Sequence, residues 1–60
     1  MFAKLTNAKT GNPLYIELDS LEVMEQDKNC SILYFNYCID DYILVDERVS
    51  YIIKLHKGEK

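Results

Sequence analysis

The sequence predicts a mainly β (α+β) fold, in which five short strands form a bent antiparallel sheet or a small barrel, followed by one C-terminal helix. Apolar residues alternate with polar ones over several short stretches, which is typical of strands. Clusters of Gly, Pro, Asn, Asp and Ser separate these stretches, as turns do. Only the last part of the chain has apolar residues at helical spacing. Residues 1–60 are expected to form a single domain, because a chain of this length can build only one thin core.

The first two predicted strands form a hairpin. The first covers residues 2–6, FAKLT, and a cluster of turn-forming residues follows it. Within that cluster, Gly11 can adopt a positive φ, and Pro13 favours an extended conformation for the residue before it. The second strand covers residues 14–18, LYIEL, and its alternation places one set of apolar side chains on the inner face: Leu14, Ile16 and Leu18. Tyr15 and Glu17 point to the opposite face.

Asp19 and Ser20 interrupt this alternation directly after the second strand. Their side chains can bond to nearby backbone groups, which favours a corner over a continued strand. The segment LEVMEQ, residues 21–26, then resumes the pattern as a third strand. We expect Leu21 and Val23 to point back toward the same core as the second strand.

The fourth and fifth predicted strands are apolar on both faces. Residues 30–37, CSILYFNY, are rich in β-branched and aromatic side chains, and residues 42–45, YILV, form the last strand. Ile32 and Tyr34 point to one side of the fourth strand and Leu33 to the other. A strand with one solvated face normally has one polar face, so something must cover the second apolar side.

The spacing of apolar residues in the C-terminal segment predicts a helix of about ten residues. Asp46 is a suitable N-cap, and Glu47 places negative charge in the first turn. Gly58 is a plausible C-terminal stop. One stripe of residues at helical spacing would face the rest of the fold: Val49, Ile52, Ile53 and His56. We interpret His56 as a boundary residue and not as a ligand.

Composition disfavours several classes of function. Ten acidic and seven basic residues give a net charge of −3, so the chain should repel nucleic acid. No signal peptide is recognisable, and no apolar run is long enough for membrane insertion. The expected compartment is the cytoplasm of a bacterium or of a phage-infected host.

No catalytic, cofactor-binding or metal-ligating set is predicted. Cys30 and Cys38 lack a neighbouring His and a CxxC spacing. If the chain between them is one extended strand, it separates them by roughly 26 Å, far beyond the reach of a disulfide, so both should be free thiols. Four carboxylates alternate with apolar residues as on a solvated strand face, and we do not interpret them as catalytic: Glu17, Asp19, Glu22 and Glu25.

Three segments carry a resemblance to a known family. KLTNAKTGNPLYIELDSLEVMEQ, then SILYF, then YILVDERVSYII, resemble the FlbD-type small flagellar and phage proteins over residues 2–53. In that family an Asn-Pro pair stands at the bend, where this chain has Glu17 and Leu18, and the family's last hairpin is shorter than the segment NYCIDD found here. The resemblance implies a similar small β fold with a C-terminal helix. It implies no catalytic residues.

These observations predict a non-enzymatic interaction module that self-associates and binds an unidentified protein partner. The expected homo-oligomer is a dimer formed over the face that carries Ile32, Tyr34 and Ile43, because one short helix cannot cover both sides of a five-stranded sheet. If the strands close into an SH3-like barrel instead, the protein should be a monomer. The alternative function is a small-ligand or nucleotide-binding protein with sites at subunit boundaries. One Arg and two Gly offer little for a phosphate, which favours the protein partner.

Overall fold

A computed structural model describes residues 1–35 and 40–58. Its elements in chain order are β1 (Phe2–Thr6), β2 (Pro13–Glu17), a short 3-10 helix (Leu18–Ser20), β3 (Leu21–Gln26), β4 (Ser31–Phe35), β5 (Tyr42–Val45) and α1 (Val49–His56). The predicted mainly β fold with a C-terminal helix is confirmed. The last two residues predicted for the fourth strand, and Cys38 in the turn after it, lie outside the described residues.

The strands form two antiparallel sheets. One contains β1 and β2, and the other has the order β3-β4-β5. A single bridge between Asn7 and Val45 joins them, supported by a hydrogen bond from the Ala8 N–H to the Leu44 carbonyl at 2.9 Å. The described residues therefore form neither one continuous bent sheet nor an SH3-like barrel, because the 3-10 helix separates β2 from β3 and no ladder joins those two strands.

The hairpin between β1 and β2 has the predicted turn chemistry. The Asn7 side chain accepts a hydrogen bond from the Lys9 N–H at 2.8 Å, which closes an Asx-type turn. Gly11 has a φ of 79°, the left-handed region that glycine reaches without a steric cost. Pro13 is the first residue of β2, a position that requires no donated ladder bond.

The predicted corner at Asp19 and Ser20 is confirmed. Leu18–Ser20 form the 3-10 helix, and the side chain of Glu17 accepts a hydrogen bond from the Asp19 N–H at 3.2 Å. Leu18 is buried in the core, as its place on the inner face predicts. The corner also contacts the helix, because His56 Nε2 lies 2.8 Å from Asp19 Oδ1. Both of these side chains are exposed.

A β-bulge changes which residues of β3 face the core. Leu21 pairs with Phe35, but the next pair joins Val23 to Tyr34, so Glu22 is an extra residue without a partner. The alternation shifts by one residue at this point. Leu21 faces the core as expected, whereas the prediction for Val23 is wrong, since Met24 packs against the core in its place.

The core lies between the two sheets and α1. Its buried apolar residues come from β1, β2, the corner, β4, β5 and the helix: Ala3, Leu5, Ile16, Leu18, Leu33, Val45 and Ile52. Six half-buried apolar residues surround this cluster: Leu14, Leu21, Met24, Phe35, Ile43 and Leu55. One small core thus holds both sheets together, which suits a chain of this length.

Helix α1 begins later than predicted. Arg48 occupies the N-cap position and makes no side-chain capping bond, so the prediction that Asp46 is the N-cap is wrong. Glu47 precedes the helix and is not in its first turn. Its carboxylate instead accepts hydrogen bonds from the Thr6 N–H at 2.8 Å and from the Thr6 hydroxyl at 2.9 Å. A long-range contact has displaced the local capping pattern, and the helix has eight residues.

The C-terminal end of α1 agrees with the sequence. Gly58 has a φ of 77°, and its N–H donates to the Leu55 carbonyl at 3.0 Å. Helices commonly end at a glycine in the left-handed conformation, because backbone N–H groups there donate hydrogen bonds to carbonyls of the last turn. Within the described part of the chain, no helix combines the length and the apolar character needed to cross a membrane.

Candidate interaction surfaces

The sheet β3-β4-β5 has one side facing away from the core, and we call it the outer sheet face. Strand register defines it as two cross-strand rows, Val23–Tyr34–Tyr42 and Glu25–Ile32–Leu44. Residues directly opposite each other in an antiparallel pair share a face, so all six side chains belong to one surface. Five of the six are large and apolar or aromatic.

The structure places two of the three predicted interface residues together. Ile32 and Tyr34 lie on the outer sheet face. Ile43 pairs with Leu33 and packs against the core cluster, so the expectation that it shares their face is wrong. The registry of β5 against β4 decides this, because it places Leu44 opposite Ile32 and Tyr42 opposite Tyr34. Sequence alternation alone does not reveal that registry.

The helix does not cover the outer sheet face. Its buried residue Ile52 belongs to the core cluster, and Leu55 packs against the same cluster. Val23 is 42% exposed and Tyr42 47% exposed, whereas Ile32, Tyr34 and Leu44 are half-buried by their neighbours. Among the described residues, the outer sheet face is therefore an apolar surface open to solvent.

Tyr34 is the centre of the polar contacts on this surface. Its hydroxyl donates a hydrogen bond to Glu25 Oε1 at 3.2 Å, and its ring lies 6.1 Å from that of Tyr42 at an angle of 48°. Partial loss of solvent raises the pKa of the Tyr34 phenol, and the charge and hydrogen bond of Glu25 raise it further. The neutral phenol is the form that donates to Glu25. The two tyrosine rings provide apolar contact area and their hydroxyls can form hydrogen bonds, a combination that suits a binding surface.

A second exposed surface lies on the other sheet, and we call it the hairpin face. It consists of the outward-pointing residues of β1 and β2, in the cross-strand pairs Phe2–Glu17 and Lys4–Tyr15. Phe2 is 70% exposed and Tyr15 is 67% exposed. Alternation in β2 predicts Tyr15 and Glu17 on this side, whereas Phe2 and Lys4 were not predicted as surface candidates. The alternation of FAKLT contained that information, since Ala3 and Leu5 face inward.

The outer sheet face carries a carboxylate and no cation, whereas the hairpin face carries both a lysine and a carboxylate. Glu25 lies on the outer sheet face, and exposed Glu22 lies beside it at the bulge. Lys4 lies on the hairpin face, where the carboxylate of Glu17 already contacts the amino group of Met1. Over residues 1–35 and 40–58, neither Lys4 nor Glu25 takes part in an ion pair.

The metal-ligating, thiol and carboxylate candidates lie in several parts of the described residues. No group of three or more His, Cys, Asp or Glu side chains within them is placed to hold a metal ion. Cys30 is a half-buried free thiol directly before β4. Its predicted counterpart lies in the undescribed segment, so the prediction of two free thiols stays a prediction. Glu25 lies on the outer sheet face, apart from Glu17, whereas Glu17 and Asp19 both contact the amino group of Met1.

No protein-family model matches the chain, and searches of curated proteins and of solved structures found no significant match.

Proposed function

We propose that this protein is a non-enzymatic interaction module that self-associates through the outer sheet face and binds a protein partner. The observation that supports it is the exposure of Val23 and Tyr42 beside three half-buried apolar neighbours on one sheet. Apolar patches larger than a few hundred Å² usually mark interaction sites, and we propose that this smaller patch serves a weak one. Tyrosine suits such a surface, because its ring contributes contact area while its hydroxyl keeps a polar partner.

The size of the outer sheet face indicates weak association. Three strands spaced about 4.8 Å apart, with about five residues rising 3.3 Å each, give a surface of roughly 14 by 17 Å. A standard interface buries roughly 800 Å² on each partner, which is more than this surface provides. We therefore expect dissociation constants in the micromolar range. Self-association would also stabilise the fold by mass action, which matters for a domain with a thin core.

The class of partner follows from the sequence resemblance alone. FlbD-type proteins occur in flagellar operons and among small phage proteins, so we propose a flagellar accessory protein or a phage-encoded modulator of a host protein, acting in the cytoplasm. The carboxylates of Glu22 and Glu25 at the outer sheet face favour partners that carry Lys or Arg next to apolar side chains.

Sedimentation velocity tests the self-association from low micromolar to several hundred micromolar protein. Tyr42→Asp removes a ring from the outer sheet face, whereas Tyr51→Asp makes the same change on α1. The two tyrosines are matched, being 47% and 48% exposed. We expect the wild-type protein and Tyr51→Asp to associate as concentration rises and Tyr42→Asp to stay monomeric. A wild-type protein that is monomeric throughout this range overturns the proposal.

A further inference from the structure

We infer that the occupant of the outer sheet face is the hairpin face of a second copy of this chain, so that the self-contact is head-to-tail. This inference rests on the proposed function and specifies which two surfaces meet. A homo-oligomer can be built in two ways. In an isologous dimer the same patch meets itself about a two-fold axis, and in a heterologous contact two different patches meet.

Charge disfavours the isologous arrangement. Two copies of the outer sheet face would each present the Glu25 carboxylate, with Glu22 at the bulge, and that face carries no cation to pair with it. Like charges placed opposite each other in an interface oppose binding. The hairpin face supplies the missing cation, because Lys4 lies on it without an ion-pair partner among the described residues.

The residues around the two charges are arranged alike. Lys4 has the ring of Tyr15 directly opposite on β2 and the ring of Phe2 two residues before it on β1. Glu25 has Ile32 directly opposite on β4, and Val23 lies two residues before it on β3. Each charge therefore lies next to two large apolar groups on its sheet face. A contact that pairs Lys4 with Glu25 brings rings against aliphatic side chains on both sides of the ion pair.

Exposure supports the same arrangement. An isologous contact through the outer sheet face leaves Phe2 and Tyr15 in water at 70% and 67% exposure. A head-to-tail contact buries one outer sheet face and one hairpin face in every interface, so a copy with two neighbours removes both apolar surfaces from water. The two faces belong to different sheets that share one core, so each copy can contact two neighbours at once. The first product is a dimer, and larger rings or chains follow.

Mixing two variants tests the arrangement. Tyr15→Asp blocks the hairpin face and Tyr42→Asp blocks the outer sheet face, and both side chains are exposed enough to be replaced without disturbing the core. In a head-to-tail assembly, each variant alone is monomeric. An equimolar mixture forms a 1:1 dimer that grows no further. The Tyr15→Asp copy retains its outer sheet face and the Tyr42→Asp copy retains its hairpin face, so only one contact can form. Sedimentation velocity and native mass spectrometry distinguish these species.

An isologous dimer gives a different pattern. Tyr15→Asp then dimerises by itself, Tyr42→Asp is monomeric, and the mixture shows no complementation. That result overturns the head-to-tail inference and leaves the proposed function standing, whereas a monomeric wild-type protein overturns both. Circular dichroism first confirms that each variant is folded, and Lys4→Glu replaces Tyr15→Asp if the latter is not.

A charge exchange provides a second readout on the same two residues. Lys4→Glu and Glu25→Lys are each expected to weaken association on the order of ten-fold, because each places like charges opposite each other. The double variant restores the opposite charges in reversed order and should return to near wild-type affinity. Additive loss in the double variant contradicts a contact between these two residues.

Discussion

Gln26 caps helix α1 from a distant strand: its Oε1 accepts a hydrogen bond from the Val49 N–H at 2.9 Å. The same side chain donates through Nε2 to the carbonyls of Asp27 at 2.8 Å and Cys30 at 3.2 Å. It therefore connects the turn between β3 and β4 to the start of the helix. The helix has no side-chain cap of its own, since Arg48 at the N-cap position makes none. The first turn of α1 depends on this contact to satisfy one of its free N–H groups.

We expect Gln26→Ala to lower the free energy of unfolding by about 1 kcal/mol, the typical value of a lost helix cap. Gln26→Glu is the matched control, because it retains an acceptor for the Val49 N–H and loses only the two donated bonds. Urea denaturation followed by circular dichroism measures both. Equal losses in the two variants would show that the cap contributes nothing.

Glu47 should matter more for stability than its neighbour Asp46. Its carboxylate accepts both the N–H and the hydroxyl of Thr6, whereas Asp46 is exposed. Glu47→Ala leaves the Thr6 N–H without this acceptor and should destabilise the protein by about 1 to 3 kcal/mol. Asp46→Ala should change the free energy of unfolding by less than about 0.5 kcal/mol. The opposite order would support Asp46 as the N-cap, as the local sequence pattern suggested.

Because of the bulge in β3, we expect truncation of Met24 to destabilise the protein more than truncation of Val23. A regular strand would give the opposite order. Met24→Ala removes a side chain packed against the core and should cost about 2 kcal/mol, toward the low end for core truncations because Met24 is only half-buried. Val23→Ala acts on a side chain that is 42% exposed and should cost under about 1 kcal/mol in the monomer. Thermal denaturation at low protein concentration, where self-association is minimal, measures this difference. A larger loss for Val23→Ala would indicate that β3 is regular.

Tyr34 should ionise at higher pH than a free phenol, because partial burial and then Glu25 raise its pKa. The native state thus favours the neutral ring more than the unfolded state does. The stabilisation is complete below the ordinary phenol pKa of about 10 and is lost as pH rises through the raised native value. Ultraviolet difference titration of Tyr34→Phe against the wild-type protein isolates this group. Glu25→Gln should shift the Tyr34 pKa downward, and an unchanged titration would contradict the role of Glu25.

Asp19 should ionise at lower pH than an ordinary aspartate, because hydrogen bonding to His56 lowers its pKa, with a further contribution from the amino group of Met1. The native state favours the charged carboxylate, so this contact stabilises the fold above the unfolded-state pKa and is lost as pH falls through the lowered native value. Both side chains are exposed, so the effect on stability is small. Nuclear magnetic resonance titration of the Asp19 carboxyl should show a higher pKa in His56→Gln than in the wild-type protein.

The features that depend on interactions between neighbouring residues were predicted correctly from the sequence. The turn at Gly11 and the corner at Asp19 and Ser20 depend on backbone conformations and short hydrogen bonds within a few residues, as does the end of the helix at Gly58. The inner set of β2 followed from simple alternation, and Ile16 and Leu18 are buried. These features are visible in the sequence because the physics that produces them is local.

The residues that share the outer sheet face were predicted in part. Ile32 and Tyr34 share a face because they lie two residues apart on one strand, which alternation alone requires. Whether Ile43 joins them depends on the registry between β4 and β5, and the structure places Leu44 there instead. A shift of one residue in registry moves a whole strand to the opposite face, and an evenly apolar segment such as YILV does not specify which set faces inward.

The sequence by itself determined the positions along the chain of the five strands that the structure describes, the turn at Gly11, the corner at Asp19 and Ser20, the C-terminal helix and the apolar character of both faces of β4. Only the tertiary structure decided that the strands divide into two sheets, that a bulge at Glu22 replaces Val23 by Met24 in the core, and that Gln26 and Glu47 act across the fold. The physical reason is the range of the interactions. Turn chemistry and alternation act over a few residues, whereas registry and long-range hydrogen bonds are selected by how one small core packs as a whole.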